Sequence, residues 1–395
     1  HWSPTVARMA LWTDTGFAEP PLDYTPPPAP DARERLLRLR LVRSRRVGPA
    51  TYLRLMAEHG HAEAALAALP GIAKDAGVTD YVPCPEPVAE AEFSAAKRLG
   101  ATLLCLGDAT YPEALARIPD APPVLWALGD LSLLRRPSLA VVGTRNASAL
   151  GARMTRRLAR ELGEAGYVVV SGLARGIDAL AHEAALETGT VGVQAGRLDV
   201  LYPADNAELA KRIGKAGLRL SEMPFGLQPQ GRHFPRRNRI VSGLSRAVIV
   251  VEAAARSGSL ITARAALDQG REVMAVPGHP LDSRASGGNF LLRDGATLVR
   301  GAQDVIEALG APTEPRRDAP AMPDRPASMP RPPLPEGGVE ALVLERLSVT
   351  PLDEDQLIRD TGQTPRKIAQ ALAVLEMAGR ITRSPGGRVA LTGAA

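Results

Sequence analysis

The chain has 395 residues, of which 45% are hydrophobic, 23% charged and only 4% aromatic, with a net charge of +5 and a pI near 9.4. No apolar run approaches the roughly 20 residues that a bilayer span needs. Two cysteines, Cys84 and Cys105, fit neither a disulfide framework nor a metal-ligand spacing. We therefore expect two or three domains of a cytoplasmic protein with no membrane partner, metal or cofactor.

Positive charge is distributed unevenly along the chain. Lysine and arginine outnumber aspartate and glutamate by 16 to 9 over residues 139–246 and by 8 to 3 over residues 31–60, whereas residues 340–395 carry seven of each sign. This distribution predicts a polyanionic partner for the first two stretches and no strong electrostatic attraction at the C-terminus.

The first 80 residues contain a proline-rich segment and a helical module. Residues 1–30 lack periodicity and are expected to be disordered. Residues 31–80 predict helices on either side of a tight turn at Gly48-Pro49, which resembles a SAM or helix-hairpin-helix module. Such a module can contact a nucleic-acid backbone through turn amides, or it can be a compact helical interaction domain.

Residues 83–310 alternate between short apolar strands and amphipathic helices, a pattern that predicts a doubly wound parallel sheet of the α/β class. The expected strands are 102–106, 124–128, 139–142, 167–170, 191–193, 247–251 and 272–276. A proline-rich linker follows at 311–337, and residues 338–395 predict three helices and a hairpin, which is the winged-helix pattern.

Ligands of doubly wound sheets bind outside the carboxyl ends of the strands, so the turns that follow strands are the first candidates for a site. The first turn, VVGTRNASALG, offers an anion site made of helix N-terminal amides and an arginine; its candidates are Gly143, Thr144 and Arg145. The second turn, SGLARGID, contributes Ser171, Gly172, Arg175 and Gly176. The glycines of each turn can instead be needed only for the backbone to turn tightly, and Asp178 can serve only as a helix cap.

A cationic and aromatic segment, HFPRRNR, precedes a further strand. Guanidinium groups suit phosphates, and an aromatic ring can stack on a base. Its candidate DNA contacts are Phe234, Arg236, Arg237, Asn238 and Arg239. A third turn adds Ser257, Gly258 and Ser259, for which helix capping is as good an explanation as phosphate binding.

Catalytic and metal-binding motifs are not found. His182 is interpreted as a packing residue and Glu252 as structural, because neither has a suitable partner in the sequence. No GxSxG or GxxxxGK[ST] motif is present.

The ordered motifs VVGTR, SGLARGIDALAH, SEMPFG, FPRRNRIVSGLS, VVEAAARSGSLITA and GGNFLLRDGA resemble those of the DNA-processing protein A family, also called Smf. The resemblance covers residues 103–299 and implies an extended Rossmann-like core that dimerises. It implies a non-enzymatic protein that binds and protects incoming single-stranded DNA in natural transformation. It also implies that the protein loads RecA, with single-strand-binding protein as a further partner.

The resemblance also suggests roles for individual residues. Arg145 matches an arginine implicated in phosphate contacts, and FPRRNR matches a basic loop of the same pocket. Many members carry a lysine after the Tyr-Pro pair, where this chain has Ala204. Arg197 or Lys211 are the candidates to replace that contact, and Arg366 and Lys367 are candidates in the winged helix.

Two other functions stay open at this stage. The core is similar to Rossmann-like phosphoribohydrolases, which would make the chain a nucleotide-processing enzyme, but their PGGxGTxxE signature is absent. The winged helix could instead make the protein a sequence-specific transcription regulator. The zero net charge of this segment argues against tight binding to duplex DNA.

Overall fold

The computed structural model describes residues 31–75, 78, 80–225, 233–310, 338–347, 352–363, 367–368, 371–372, 374–375, 380–384 and 388–391. The expected disordered lead and the proline-rich linker lie outside the described residues. The chain divides into two compact units, His1–Arg317 and Asp318–Ala395.

The N-terminal part of the first unit is helical, as the sequence predicts. Its helices are α1 (Ala32–Arg43), α2 (Pro49–His59), α3 (Ala62–Asp75) and α4 (Glu86–Leu99). The first three enclose a small core of their own, to which Leu41, Tyr52 and Leu55 contribute. The sequence did not predict α4, which packs with α1 against the beginning of the sheet.

A nine-stranded sheet forms the centre of the first unit. Its strands are β1 (Thr102–Cys105), β2 (Val124–Gly129), β3 (Ser138–Val142), β4 (Val168–Ser171), β5 (Thr190–Val193), β6 (Leu218–Ser221), β7 (Ala247–Val250), β8 (Glu272–Ala275) and β9 (Thr297–Leu298). Their order is β1-β2-β6-β5-β4-β3-β7-β8-β9. Strands β3 to β9 pair in parallel, whereas β1 and β2 form an antiparallel extension.

Successive side chains of a strand point to opposite faces of the sheet, and the central strands are apolar throughout. Both faces of the sheet are therefore apolar, and helices cover both of them. These helices are α5 (Glu113–Ala116), α6 (Ala149–Glu164), α7 (Ile177–Ala184), α8 (Ala207–Ala216), α9 (His233–Leu244), α10 (Gly258–Asp268), α11 (Ser286–Arg293) and α12 (Ala302–Leu309). Val141 and Ile249 pack with α6, α7 and α12, while Val142 and Val250 pack with α9 and α10 on the other face. The predicted doubly wound α/β fold is confirmed.

Three details differ from the sequence-based expectation. Strands β6 and β9 were not predicted. The FPRRNR segment is not a loop but the beginning of α9. A helix tolerates Pro235 there because the first turn needs no amide from it, and Ile240, Val241 and Leu244 then anchor the helix in the core.

The second unit has the winged-helix architecture. Its described elements are α13 (Gly338–Arg346), β10 (Leu352–Asp353), α14 (Glu354–Thr361), β11 (Ile381–Ser384) and β12 (Arg388–Leu391), with the strands in the order β10-β12-β11. Val343, Leu357, Leu372 and Val389 are fully or almost fully buried in its core.

Among the described helices of the two units, none combines the length and apolar character needed to cross a membrane.

Candidate nucleic-acid interface

The order of the strands creates a cleft at the carboxyl edge of the sheet. From β3 the chain winds outward through β4, β5 and β6, then returns to the other side of β3 with β7. The turns after β3 and β7 therefore diverge, which opens a crevice where doubly wound proteins bind ligands. Two adjoining cavities of about 270 and 540 Å³ lie there and share Arg145, Gly172, Ala174 and Phe234. We call them together the rim cleft.

The turns after β3 and β4 are joined directly. The amide of Ile177 donates to the carbonyl oxygen of Thr144 at 3.1 Å. Gly176 adopts φ 73°, and a Cβ there would lie 2.4 Å from that same oxygen, so only glycine fits. The two predicted turns therefore form one wall of the rim cleft.

Several backbone amides of these turns are already bonded within the protein, so fewer of them are available to an anion than the sequence predicts. Glu252 accepts from the amide and hydroxyl of Ser148 at the start of α6, and the Ser148 hydroxyl accepts from the amide of Gly151. Asp178 likewise accepts from the amides of Gly172 and Ala174. The side chain of Arg145 is therefore the main candidate for binding an anion at this wall.

An arginine and two aromatic rings meet at the mouth of the cleft. The guanidinium carbon of Arg145 lies 5.5 Å from the centroid of the Phe234 ring. The Tyr202 ring lies 6.1 Å from Phe234, is tilted by 56°, and is 56% exposed. Arg145 is exposed and has no carboxylate partner among the described residues. This group offers a cation and ring faces at one place.

Arg237 lies in the floor of the cleft. It is 7% exposed, and its guanidinium donates to the carbonyl of Val193 at 3.0 Å and to the side chain of Asn238 at 3.2 Å. Burial lowers the pKa of Arg237 from its ordinary value, and the charge of nearby Asp178 opposes that change. A Cβ on Gly172 would lie 1.6 Å from Nη1 of Arg237, so the glycine makes room for the arginine.

The turn after β7 forms the opposite wall. Ser257 caps α10, and its hydroxyl contacts that of Ser259 at 2.7 Å. Both serines line the cavity together with Gly258 and Asn238. Arg256 lines it as well, is exposed, and has no ion pair with any described residue. Ser257 therefore caps α10 and lines the cleft at the same time.

Two predicted contacts do not face the cleft. Ser171 is fully buried, and its hydroxyl donates to the carbonyl of Val141 inside the sheet. Arg239 pairs with Glu222 at 2.7 Å and with Asp120 at 3.0 Å, with its side chain 11% exposed. Both side chains are corrected to structural roles, because burial and internal partners leave them no surface for a strand.

Other predicted cations have carboxylate partners or lie elsewhere. Arg175 lines the cleft but pairs with Asp205 at 2.9 Å. Arg236 is half-exposed and 3.8 Å from Glu222.

The two cations expected to replace the missing lysine are also paired. Arg197 pairs with Asp199 and Lys211 with Glu208, and neither residue lines the rim cleft. In the winged helix Lys367 is exposed, and Arg366 lies outside the described residues.

Sequence reasoning missed Tyr202 and Arg256 as cleft residues. Tyr202 belongs to the Tyr-Pro pair and Arg256 to the AAARSGS motif, so both were visible in the sequence. The sequence did not show that folding brings them close to the other turns. The part of the chain described here contains no cluster of three or more histidine, cysteine, aspartate or glutamate side chains placed to hold a metal. His182 is fully buried against Thr190, with an Nδ1–Oγ1 distance of 2.7 Å.

Three family models, all of one family, match successive segments of the chain. The family model for DNA recombination-mediator protein A matches residues 102–310. Models for a DprA-like N-terminal HHH domain and a DprA winged helix domain match residues 32–95 and 326–387. DNA processing protein DprA of Bacillus subtilis is 44% identical over 220 residues, which are 55% of this chain and 74% of that protein.

A longer alignment and a solved structure extend the likeness. Protein Smf of Escherichia coli is 39% identical over 289 residues, covering 71% of this chain and 75% of that protein. The X-ray structure of DprA from Streptococcus pneumoniae superposes with a TM-score of 0.58 at 37% identity, covering 69% of this chain and 95% of that one. The chain belongs to the DprA/Smf family of DNA recombination-mediator proteins.

Proposed function

We propose that this protein binds single-stranded DNA in the rim cleft. The observation that carries the proposal is the group formed by Arg145, Phe234 and Tyr202 above the buried Arg237. Arginine side chains neutralise phosphates and release counterions, while an exposed aromatic face stacks on a base of any sequence. Binding by these groups has little sequence preference.

The shape of the cleft favours a single strand over a duplex. Bases in a duplex are stacked on one another, so their faces are not accessible to Phe234 or Tyr202. The cavities of about 270 and 540 Å³ have the size of individual nucleotide units. An unpaired strand can place a base against the rings and its phosphates against Arg145 and Arg256, which lie on opposite walls.

The proposal is tested by titrating fluorescent oligothymidine with the full chain over a range of salt concentrations. Arg145→Ala is expected to weaken binding about ten-fold at low salt and to reduce the slope of log K against log salt by about 0.7, the value for one lost contact to a single strand. Arg98→Ala removes an equal charge at the exposed end of α4 and serves as the control. Unchanged affinity and slope in Arg145→Ala would place the strand elsewhere.

Membership of a family described as recombination mediators supports a wider role. We propose that the protein acts in the cytoplasm as a homodimer, protects incoming single-stranded DNA during natural transformation, and loads RecA on strands coated with single-strand-binding protein. The test is RecA ATPase activity on such coated strands, which should rise with added protein. Arg145→Ala should reduce the stimulation in proportion to its loss of DNA affinity.

We propose a binding protein rather than a nucleotide-processing enzyme. The carboxylate best placed for catalysis, Glu252, uses both oxygens to hold Ser148 at the start of α6. A hydrolysis assay with nucleoside monophosphates decides between the two functions. Turnover by the wild-type protein that disappears in Glu252→Gln would overturn the proposal.

A further inference from the structure

Helix α6 carries a row of exposed arginines that begins beside the rim cleft. Arg153, Arg156, Arg157 and Arg160 are all exposed, while Leu158, Ala159 and Leu162 face the core. At 100° per residue these four arginines fall on one stripe of the helix. We call this stripe the α6 ridge.

The ridge is continuous with the cleft. Arg145 lies three residues before Ser148, the N-cap of α6, and Glu252 fixes that cap to the turn after β7. With a rise of about 1.5 Å per residue, Arg153 lies about 6 Å and Arg160 about 16 Å along the axis from the first residue of the helix. The helix runs back from the carboxyl edge of the sheet, so the ridge leads away from the cleft over the outer layer.

Interaction with the helix dipole does not explain the placement of these charges. The first turn of α6 has no acidic residue and the last turn no basic one. Acidic side chains are instead found near the C-terminus, where Glu161 and Glu164 oppose the helix dipole. Helices α1, α4 and α8 show the favourable arrangement, with a glutamate in the first turn and basic residues in the last. Helices α9 and α10 likewise have no acidic first turn and no basic last turn, so what distinguishes α6 is its row of four exposed arginines.

Internal pairing leaves the part of the ridge nearest the cleft available. Arg157 pairs with Glu161 at 2.8 Å, and Arg160 is 4.0 Å from Glu164. No described residue forms an ion pair with Arg153 or Arg156. Two guanidinium groups without an ion pair to a described residue thus lie within about 11 Å, along the helix axis, of the first residue of α6.

We propose that single-stranded DNA leaving the rim cleft past Arg145 continues along the α6 ridge, which contacts its phosphates through Arg153 and Arg156. This inference rests on the proposed function and extends its binding site beyond the cleft. It makes affinity depend on strand length: a strand of about three nucleotides fills the two cavities of the cleft, and a longer one reaches the ridge as well.

The test compares a fluorescent three-mer and a 20-mer of thymidine with the full chain and with Arg153→Gln/Arg156→Gln. The double variant should bind the three-mer within two-fold of wild type. For the 20-mer it should lose about ten-fold in affinity, with a salt slope smaller by about 1.4, because two phosphate contacts to a single strand contribute about 0.7 each. Lys97→Gln/Arg98→Gln on α4, beside the far edge of the sheet, removes the same charge and should leave both oligonucleotides unaffected.

Each outcome bears on a separate claim. An unchanged 20-mer affinity and slope in the double variant would exclude the ridge while leaving the cleft intact. Equal losses for both lengths, or for the Lys97 and Arg98 control, would also overturn the ridge, since its contacts are made only by a longer strand. Failure of the wild-type protein to bind either oligonucleotide would refute the rim cleft and the ridge together.

Discussion

Two arginines only two residues apart on α9 have different roles. Arg237 points into the rim cleft, whereas Arg239 is held by Glu222 and Asp120. Residues two positions apart on a helix lie about 200° apart around its axis, so they face opposite sides. A basic run in a sequence therefore does not supply as many DNA contacts as it has cations.

Phe234 is the residue whose removal should most directly test stacking. Phe234→Ala removes the ring near Arg145 and Tyr202 and should weaken oligothymidine binding about ten-fold or more, since stacking contributes about 1–3 kcal/mol per base. The salt slope should stay unchanged because no charge is lost. Fluorescence anisotropy measures both quantities.

Two further substitutions of Phe234 distinguish the contribution of the aromatic ring from that of apolar volume. Phe234→Tyr should bind like wild type, whereas Phe234→Leu keeps much of the apolar volume without a ring and should bind like the alanine variant. Wild-type affinity in Phe234→Leu would show that stacking is not the source of the energy.

His182 should make the fold sensitive to acid. Burial, assisted by the charge of Arg237, lowers the pKa of His182 to about 3. Below an unfolded-state pKa of about 6.5 the unfolded chain takes up a proton that the folded one refuses, so stability falls as pH decreases through this range. Between pH 6.5 and 5 the loss from this group is about 1.6 kcal/mol, because the full slope of about 1.4 kcal/mol per pH unit is reached only below the unfolded-state pKa.

Urea denaturation at these two pH values, with His182→Gln as the comparison, measures this contribution. The glutamine retains a polar group near Thr190 but does not titrate, so its free energy of unfolding should decrease less on acidification. Parallel pH dependence in both proteins would mean that His182 is protonated in the folded state.

At the scale of elements, the sequence revealed most of the sheet because its central strands are uninterrupted apolar runs. Strand β6 escaped prediction since Arg219 lies within it. The fold accommodates this buried arginine by hydrogen bonds to the side chain of Gln194 and the carbonyl of Leu198. Partners from a distant segment cannot be inferred from local periodicity.

The candidate site was predictable only in part for a similar reason. The glycine turns and Phe234 follow from motifs at strand ends. Whether a cation is free or paired depends on acids brought close by folding, as Asp205 is to Arg175 and Glu222 to Arg236. Arg256 became a candidate only when the turn after β7 was placed opposite Arg145.

Gly172, in the turn after β4, should control DNA binding through the position of Arg237, because it has no side chain of its own to contact DNA. Gly172→Ala would place a Cβ 1.6 Å from Nη1 of Arg237 and must displace the guanidinium from the floor of the cleft. We expect oligothymidine affinity to fall at least five-fold, measured by anisotropy. Gly214→Ala on α8, where a Cβ would meet its nearest neighbour at 3.5 Å, is the matched control.

Wild-type affinity for Gly172→Ala would indicate that the position of Arg237 does not matter for binding. A fall in the Gly214→Ala control of the same size would point instead to a general effect on the fold.

On the scale of the first unit, the buried carboxylate of Glu92 is one of the links that join the N-terminal helices to the sheet. Glu92 on α4 is 6% exposed and accepts from Arg43 on α1 at 2.8 and 3.0 Å and from the indole of Trp126 on β2 at 2.7 Å. Arg43 also donates to the backbone of Glu222. Glu92 thus connects three segments that are distant in the sequence.

Glu92→Gln should therefore destabilise the whole unit rather than one helix. It keeps the size of the side chain but leaves the guanidinium of Arg43, only 14% exposed, without a counter-charge, which costs about 3 kcal/mol for a buried pair. The expected result is one cooperative urea transition, followed by tryptophan fluorescence, with a lower midpoint. Glu113→Gln breaks the exposed pair with Arg117 and should cost less than about 1 kcal/mol. A biphasic transition, or equal effects of the two variants, would mean that the helical module folds independently of the sheet and that Glu92 does not couple them.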